Sequence, residues 1–211
     1  VLTPSAVAAG RLRISMPADF GRVLMEALTT RFSHSYPQLR LDVGLSDQPV
    51  ELIREGFDAA IRVGHVDDTN LIAKPLGMLP MALVASPAYL ASRGAPDTIA
   101  SLSRHDHIRY LLRGRPFPIS FANGERLVPQ GVFDTDSGEA MRIAARNGLG
   151  IAQLLRASVM EDLAAGQLVS VLEKHPLPPV PVQVLHGFAR AVPGRVSALF
   201  RFLDAEMPRW R

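Results

Sequence analysis

The chain has 211 residues, of which 47% are apolar and 20% charged, enough to bury a core and ordinary for a globular protein. It contains no cysteine, which excludes disulfides, thiol catalysis and thiolate metal sites and suits a reducing compartment. The net charge of +3 resides in the segment from residue 190 onward, where Arg190, Arg195, Arg201, Arg209 and Arg211 face only Asp204 and Glu206; scattered along one helix, they read as a solvated face rather than a nucleic-acid stripe.

Residues 1–10, VLTPSAVAAG, have no period, end in glycine and read as a linker tail. The first residue is Val rather than Met, so the chain reads as a fragment or a processed form. No basic-then-apolar signal segment opens it, and runs such as Met81–Ala85 are far too short to cross a bilayer.

RLRISM (11–16) alternates like a strand, and Phe20, Val23, Leu24, Ala27, Leu28 and Phe32 form the stripe of a following helix, stopped by Tyr36-Pro37. LRLDVGL (39–45) alternates as a second strand. SDQP (46–49) marks a second helix start, with Asp47 or Gln48 as cap and Pro49 in the first turn; Val50, Ile53 and Phe57 form its apolar side and Gly56 its end. Residues 58–63 are a third strand, so strand, helix, strand, helix, strand succeed one another with crossovers suited to parallel pairing.

Strands are expected at 71–77 and 79–86, then helices at 87–92 and 97–104 and short strands at 107–112, 117–121 and 126–134. SGEAMRIAARNGLGIAQLL (137–155) reads as helix, glycine turn, strand and parallels VELIREGFDAAIRV (50–63), hinting that two halves share one design. A helix at 156–165, strands at 167–172 and 182–188, and a final helix with Val192, Val196, Leu199, Phe200, Leu203 and Met207 on its core face complete the chain. The layout predicts an α/β protein with two lobes and a cleft between them: residues 11–85 with 189–211, and residues 86–188. The strands at 79–86 and 182–188 are the expected crossings.

In such sheets ligands sit beyond the carboxyl ends of strands, where helix amino ends favour an anion, most simply a carboxylate. Ser15-Met16-Pro17-Ala18, Leu45-Ser46-Asp47 and Phe133-Asp134-Thr135-Asp136-Ser137 are three such junctions. Arg62, near the end of a strand closed by Gly64, emerges at the same edge. Two readings fit it: a partner for an anionic ligand, or an internal salt bridge to Asp19, Asp47, Asp67 or Asp68. No GxSxG elbow, HExxH, Walker loop or GxGxxG after a strand is present, so no enzyme is expected. His105-Asp106-His107 places two imidazoles at i and i+2, but without a further ligand cluster it reads as a helix end followed by a strand start, and no metal or other cofactor is expected.

GRLRISMPADFGRVLM, YPQLRLDVGLSDQPVELIREGFDAAIRVG, LIAKPLGMLPMALVASPAYLASRGAP, DTDSGEAMRIAARNGLGIAQLL and PPVPVQVLH, in that order, resemble the effector-binding domain of LysR-type transcriptional regulators over residues 10–208. The resemblance implies a fold like type 2 periplasmic binding proteins, with two Rossmann-like subdomains joined by two crossover strands and a small-molecule effector in the interdomain cleft, a carboxylate or aromatic metabolite. It implies a cytoplasmic regulator that touches DNA through a winged helix-turn-helix domain preceding residue 1, and association as a homodimer or homotetramer. Inducer contacts carry over onto Ser15, Met16, Pro17, Ala18, Leu45, Ser46, Val63, Gly64, Phe133, Asp134 and Thr135, and Arg62 joins them from the strand-end argument. After Ser15 the first turn offers no hydroxyl, which leaves room for a more apolar inducer. A solute-binding receptor of a transport system shares the two-lobe design and is the alternative; it would carry an export signal.

Overall fold

A computed structural model of the chain describes residues 8–48, 51–66 and 70–210. Residues 1–7 of the expected linker tail, Pro49, Val50, Asp67, Asp68, Thr69 and Arg211 lie outside the described residues.

The chain forms two compact units, Val1–Met78 with Val180–Arg211, and Leu79–Pro179, and passes between them twice. In chain order, β1 (Gly10–Met16), α1 (Ala18–Ala27), a π-type continuation (Leu28–Phe32), α2 (Ser33–Ser35), β2 (Leu39–Leu45), β3 (Ala59–Val63) and β4 (Ile72–Leu79) come first. Then follow β5 (Met81–Ala85), α3 (Pro87–Arg93), α4 (Ile99–Leu102), β6 (His107–Leu112), β7 (Arg115–Pro116), β8 (Ile119–Ser120), β9 (Arg126–Leu127) and β10 (Gly131–Thr135). The chain continues with α5 (Gly138–Arg146), β11 (Ile151–Leu155), α6 (Arg156–Ala164), β12 (Val169–Val171), β13 (Val180–His186), α7 (Gly194–Glu206) and a 3-10 turn at Met207–Trp210.

The first unit holds a sheet of order β2-β1-β3-β13-β4. β1 runs parallel to β2 and β3, and β13 is antiparallel to β3. Leu12, Ile14 and Met16 of β1 are buried, as are Phe20, Leu24 and Ala27 of α1 and Val196, Leu199, Phe202 and Leu203 of α7. Edge-to-face contacts of Phe32 with Phe202 at 5.0 Å and of Phe20 with Trp210 at 5.9 Å join the first helical segment to the last.

The second unit repeats the plan with the order β10-β6-β11-β5-β12. β6 runs parallel to β10 and β11, and β5 is antiparallel to β11. Alternation along β5 sends Ala82 and Val84 to one face with Met141, Ala145 and Val159, and Leu83 and Ala85 to the other with Tyr89, Leu102 and Phe121. β3 and β11 hold equivalent places in the two sheets, so the shared design that the sequence hints at is present. The changeovers fall at 78/79 and 179/180, where the sequence reading puts them at 85/86 and 188/189, because pairing decides them: β5 bonds to β11 and β12, and β13 bonds to β3.

Four expectations are corrected. Residues 51–56 form turns, not a helix: Gly56 takes φ +72°, and the carbonyls of Glu55 and Gly56 accept hydrogen bonds from Arg13 Nη1. One short stretch before a left-handed glycine offers too little to nucleate a helix, and Ile53 is left 74% exposed while Leu52 is buried. The strand expected at 126–134 is split, because Pro129 has no amide to donate to the ladder and the register shifts between Gly131 and Phe133. Val192 precedes the last helix instead of lying on its core face, with Pro193 at the N-cap. The carboxyl-terminal arginines are not all solvated: Arg195 bonds Asp58 at 2.7 Å, and Arg209 lies 3.5 Å from Glu206, which also holds Arg31. Among the described residues, no helix is long and apolar enough to cross a membrane.

Two buried histidines make stability pH-dependent. His107 and His186 are 1% and 4% exposed, and desolvation holds both imidazoles below the ordinary histidine pKa. The unfolded chain therefore takes up protons near pH 6.5 that the folded chain refuses. The stability they contribute is complete above that value and is lost as pH falls below it. The melting temperature, followed by circular dichroism, is expected to fall between about pH 7.5 and about pH 5.5; a flat profile would refute the assignment.

Candidate functional site

The parallel pairing of β1, β2 and β3 brings their carboxyl ends to one edge of the first unit, with Met16 beside Leu45 and Ser15 beside both Gly44 and Ala60. The amide of Ser46 donates to the Met16 carbonyl at 2.9 Å, closing the turn after β2 onto β1. β3 ends in Gly64, whose φ of +90° would strain any side chain and whose amide donates to Pro181 O at 2.8 Å. Ser15, Met16, Pro17, Ala18, Leu45, Ser46, Arg62, Val63 and Gly64 therefore gather at one edge.

They do not contribute alike. Met16 is fully buried and its side chain packs beside Gly21, so only its backbone belongs to the edge. Pro17, Ala18, Ser46, Val63 and Gly64 are half-buried, and Leu45 is exposed. Ser15 is buried, and its Oγ accepts a hydrogen bond from Arg62 Nη2 at 3.1 Å, while Arg62 Nη1 donates to Ile61 O at 2.8 Å. Both bonds reach neutral oxygens, and among the described residues no carboxylate forms an ion pair with this guanidinium. Desolvation holds the Arg62 pKa below its ordinary value, against the pull of Asp47 and Glu55. Of the internal partners proposed for it, Asp47 acts on its charge electrostatically, and Asp67 and Asp68 lie outside the described residues.

Asp47 has a role that the sequence reading missed. It does not cap a helix of its own. Its Oδ1 accepts from the Ala18 amide at 2.8 Å, and Asp19 Oδ1 accepts from Phe20 N at 2.8 Å. The N-cap of α1 is Pro17, which has no side-chain acceptor, so the exposed amides need an outside carboxylate. That requirement was the signal available: a proline cap, and an acid one residue after the neighbouring strand turn. The Ala18 and Phe20 amides of this helix end are thus bonded within the chain.

In the second unit, Phe133, Asp134 and Thr135 close β10. Phe133 is 36% exposed. Asp134 commits both oxygens to Arg109, at 2.7 and 2.6 Å, which lowers its carboxyl below the usual carboxylate range. Thr135 Oγ1 accepts from the Ser137 amide at 3.2 Å, and Ser137 caps α5 by accepting from Ala140 N at 3.3 Å. Phe133 and Thr135 are thus the members of this set whose side chains are not tied up by a charge.

The His105-Asp106-His107 segment is occupied within the fold. His105 Nδ1 meets Tyr89 Oη at 3.2 Å, and His107 Nε2 meets Leu102 O at 2.9 Å. A cavity of about 320 Å³ opens here, lined by Tyr89, Arg93, Asp97, Ser101, Arg104 and His105; Arg93 pairs with Asp106 at 3.1 Å. Among the described residues, no three potential metal ligands gather.

The family model "LysR substrate binding domain" matches residues 5–208. The uncharacterized HTH-type transcriptional regulator YhjC of Escherichia coli K12 is 31% identical over 206 residues, 95% of this chain and 69% of its own. The HTH-type transcriptional regulator DmlR of the same strain is 31% identical over 92% of this chain and 64% of its own, so the chain spans about two thirds of these relatives. Among solved structures, the regulatory domain of CrgA, a LysR-type transcriptional regulator from Neisseria meningitidis, superposes with a TM-score of 0.84 at 28% identity, covering 94% of this chain and 98% of that one.

Proposed function

The chain belongs to the LysR substrate-binding domain family, the effector-binding regulatory domain of LysR-type transcriptional regulators, and from this premise we propose that its effector is a small organic acid whose anionic group is read by Arg62. Domains of this family bind small molecules and perform no catalysis. The carrying observation is the guanidinium itself: a half-buried cation anchored on Ser15 Oγ and the Ile61 carbonyl, with no ion-paired carboxylate among the described residues. A desolvated charge held by neutral oxygens alone is costly, and an anion accepting from its remaining N–H groups relieves that cost. Leu45 and Val63 flank it with apolar surface that suits the hydrocarbon body of an aliphatic or aromatic acid. In the second unit, Phe133 and Thr135 are proposed as further contacts, one apolar and one hydroxyl.

Within a complete regulator, effector binding would shift the balance between two conformations by its difference in affinity for them, and so alter DNA binding by a helix-turn-helix domain. Self-association as a homodimer or homotetramer in the cytoplasm is part of the same reading. It is supported by the exposed apolar side chains of Val132 on the edge strand β10 and of Ile143 on α5.

Thermal denaturation with millimolar aliphatic and aromatic carboxylic acids tests the reading. At least one acid is expected to raise the melting temperature in a saturable way, since binding to the folded state alone adds about 2.7 kcal/mol at a hundred times Kd. A flat response across the panel would overturn it.

A further inference from the structure

The cavity beside Tyr89 and His105 is not used by the effector reading. It lies near the amino end of β6, at the opposite end of the second unit's sheet from Phe133 and Thr135. Its volume of about 320 Å³ suits a molecule of amino-acid size. The wall carries both signs of charge. Arg93 is answered by Asp106 at 3.1 Å. Arg104 and Asp97 line the same cavity and act on each other's charge, yet neither forms an ion pair among the described residues. Hydrogen bonding with Ser101 and with the backbone lowers the Asp97 carboxyl below its ordinary pKa, so it stands ionised.

A donor of fixed polarity completes the wall. Tyr89 is buried, and its Oη accepts from the Asp106 amide at 2.8 Å while meeting His105 Nδ1 at 3.2 Å. With the phenol oxygen accepting from the amide, its own hydrogen goes to Nδ1, which places the imidazole proton on Nε2. Burial, with Arg104 and Arg93 nearby, lowers the His105 pKa against the pull of Asp106 and keeps the ring neutral. Nε2–H has no partner among the described residues.

We propose that this cavity is a second small-molecule site and takes an α-amino acid as its zwitterion, the carboxylate on Arg104 and His105 Nε2–H and the ammonium on Asp97. A simple anion would gain Arg104 but face Asp97, and a simple cation the reverse. A molecule bearing both charges on adjoining atoms satisfies each and closes a gap that the two side chains leave open. The site stands apart from Arg62, which belongs to the other unit.

Amide NMR titration with L-alanine and L-glutamine, each beside its N-acetyl and carboxamide derivatives, tests the proposal. Near neutral pH the amino acids are zwitterions, the N-acetyl forms anions and the carboxamides cations. At least one of the two amino acids is expected to give saturable shifts at Ser101, Arg104 and His105 at millimolar concentration, and its two derivatives to bind about fivefold or more weakly. Arg104→Gln and Asp97→Asn should each weaken it by a similar factor; both side chains are exposed, and an unchanged melting temperature checks the fold of each variant. Arg62→Gln should bind it as wild type does. No saturable shift with either amino acid, equal binding of either derivative, or indifference to both substitutions would overturn the proposal. Loss of binding in Arg62→Gln would overturn it too, by assigning the amino acid to the edge of the first unit. The carboxylic-acid reading of Arg62 stands or falls separately, on the thermal panel.

Discussion

Replacing Asp162 by alanine is expected to destabilise the domain by about 3 kcal/mol in urea denaturation, because it leaves a buried guanidinium only its bond from Nη1 to Glu139 at 2.9 Å. Asp162 is 2% exposed and accepts from Arg142 Nε at 2.5 Å and Nη2 at 3.0 Å, with Arg146 Nε at 3.4 Å. Arg142 is itself buried on α5, so the group left behind cannot recover its hydration. The same truncation at Asp134, which is itself exposed and whose partner Arg109 keeps a bond to Pro129 O, is expected to cost less than about 1 kcal/mol. The contrast is informative because α5 begins three residues after Thr135: the Arg142–Asp162 pair ties that helix to α6 and so holds the end of β10 in place. A cost for Asp162→Ala no larger than that for Asp134→Ala would mean that Met141, Ala144 and Ala145 anchor the helix by packing alone.

The second large effect is functional. Arg62→Gln is expected to weaken the best organic acid by about 2–5 kcal/mol, or thirtyfold and more, and to abolish its thermal protection. Arg62→Lys should retain part of the affinity, since a point charge remains but the planar fork does not. The ligand-free protein should behave in the opposite sense. Arg62 is desolvated without an ion pair among the described residues, so removing its charge should leave the melting temperature unchanged or raise it. An unfolded or strongly destabilised Arg62→Gln would instead make the guanidinium a structural group.

The architecture was largely legible where periodicity is strong. The alternation in RLRISM and LRLDVGL, the stripe from Phe20 to Phe32 and the strand ending at Val63 all fold as read, and parallel pairing then forces Ser15, Leu45 and Val63 to one edge. What failed was decided by contacts distant in sequence. Residues 51–56 resemble a short helix until Arg13, about forty positions earlier, takes the carbonyls of Glu55 and Gly56. Arg195 looks like a solvated cation until α7 brings it onto Asp58. Asp47 illustrates the limit best. Its neighbourhood with a proline announces a cap, but which helix it caps depends on how the loop after β2 returns toward β1. The question raised by Arg62 was visible in the chain; its neutral anchoring on Ser15 was not, because that bond joins residues 47 positions apart.

The most direct measurement is a backbone amide NMR titration with the acid that gives the largest thermal shift. Saturable shifts concentrated at Ser15, Ala18, Ser46, Arg62 and Gly64 in the first unit and at Phe133 and Thr135 in the second, absent in Arg62→Gln, are the expected result. Saturable binding that leaves those amides unmoved, with the changes instead around Tyr89, Arg104 and His105, would contradict the account.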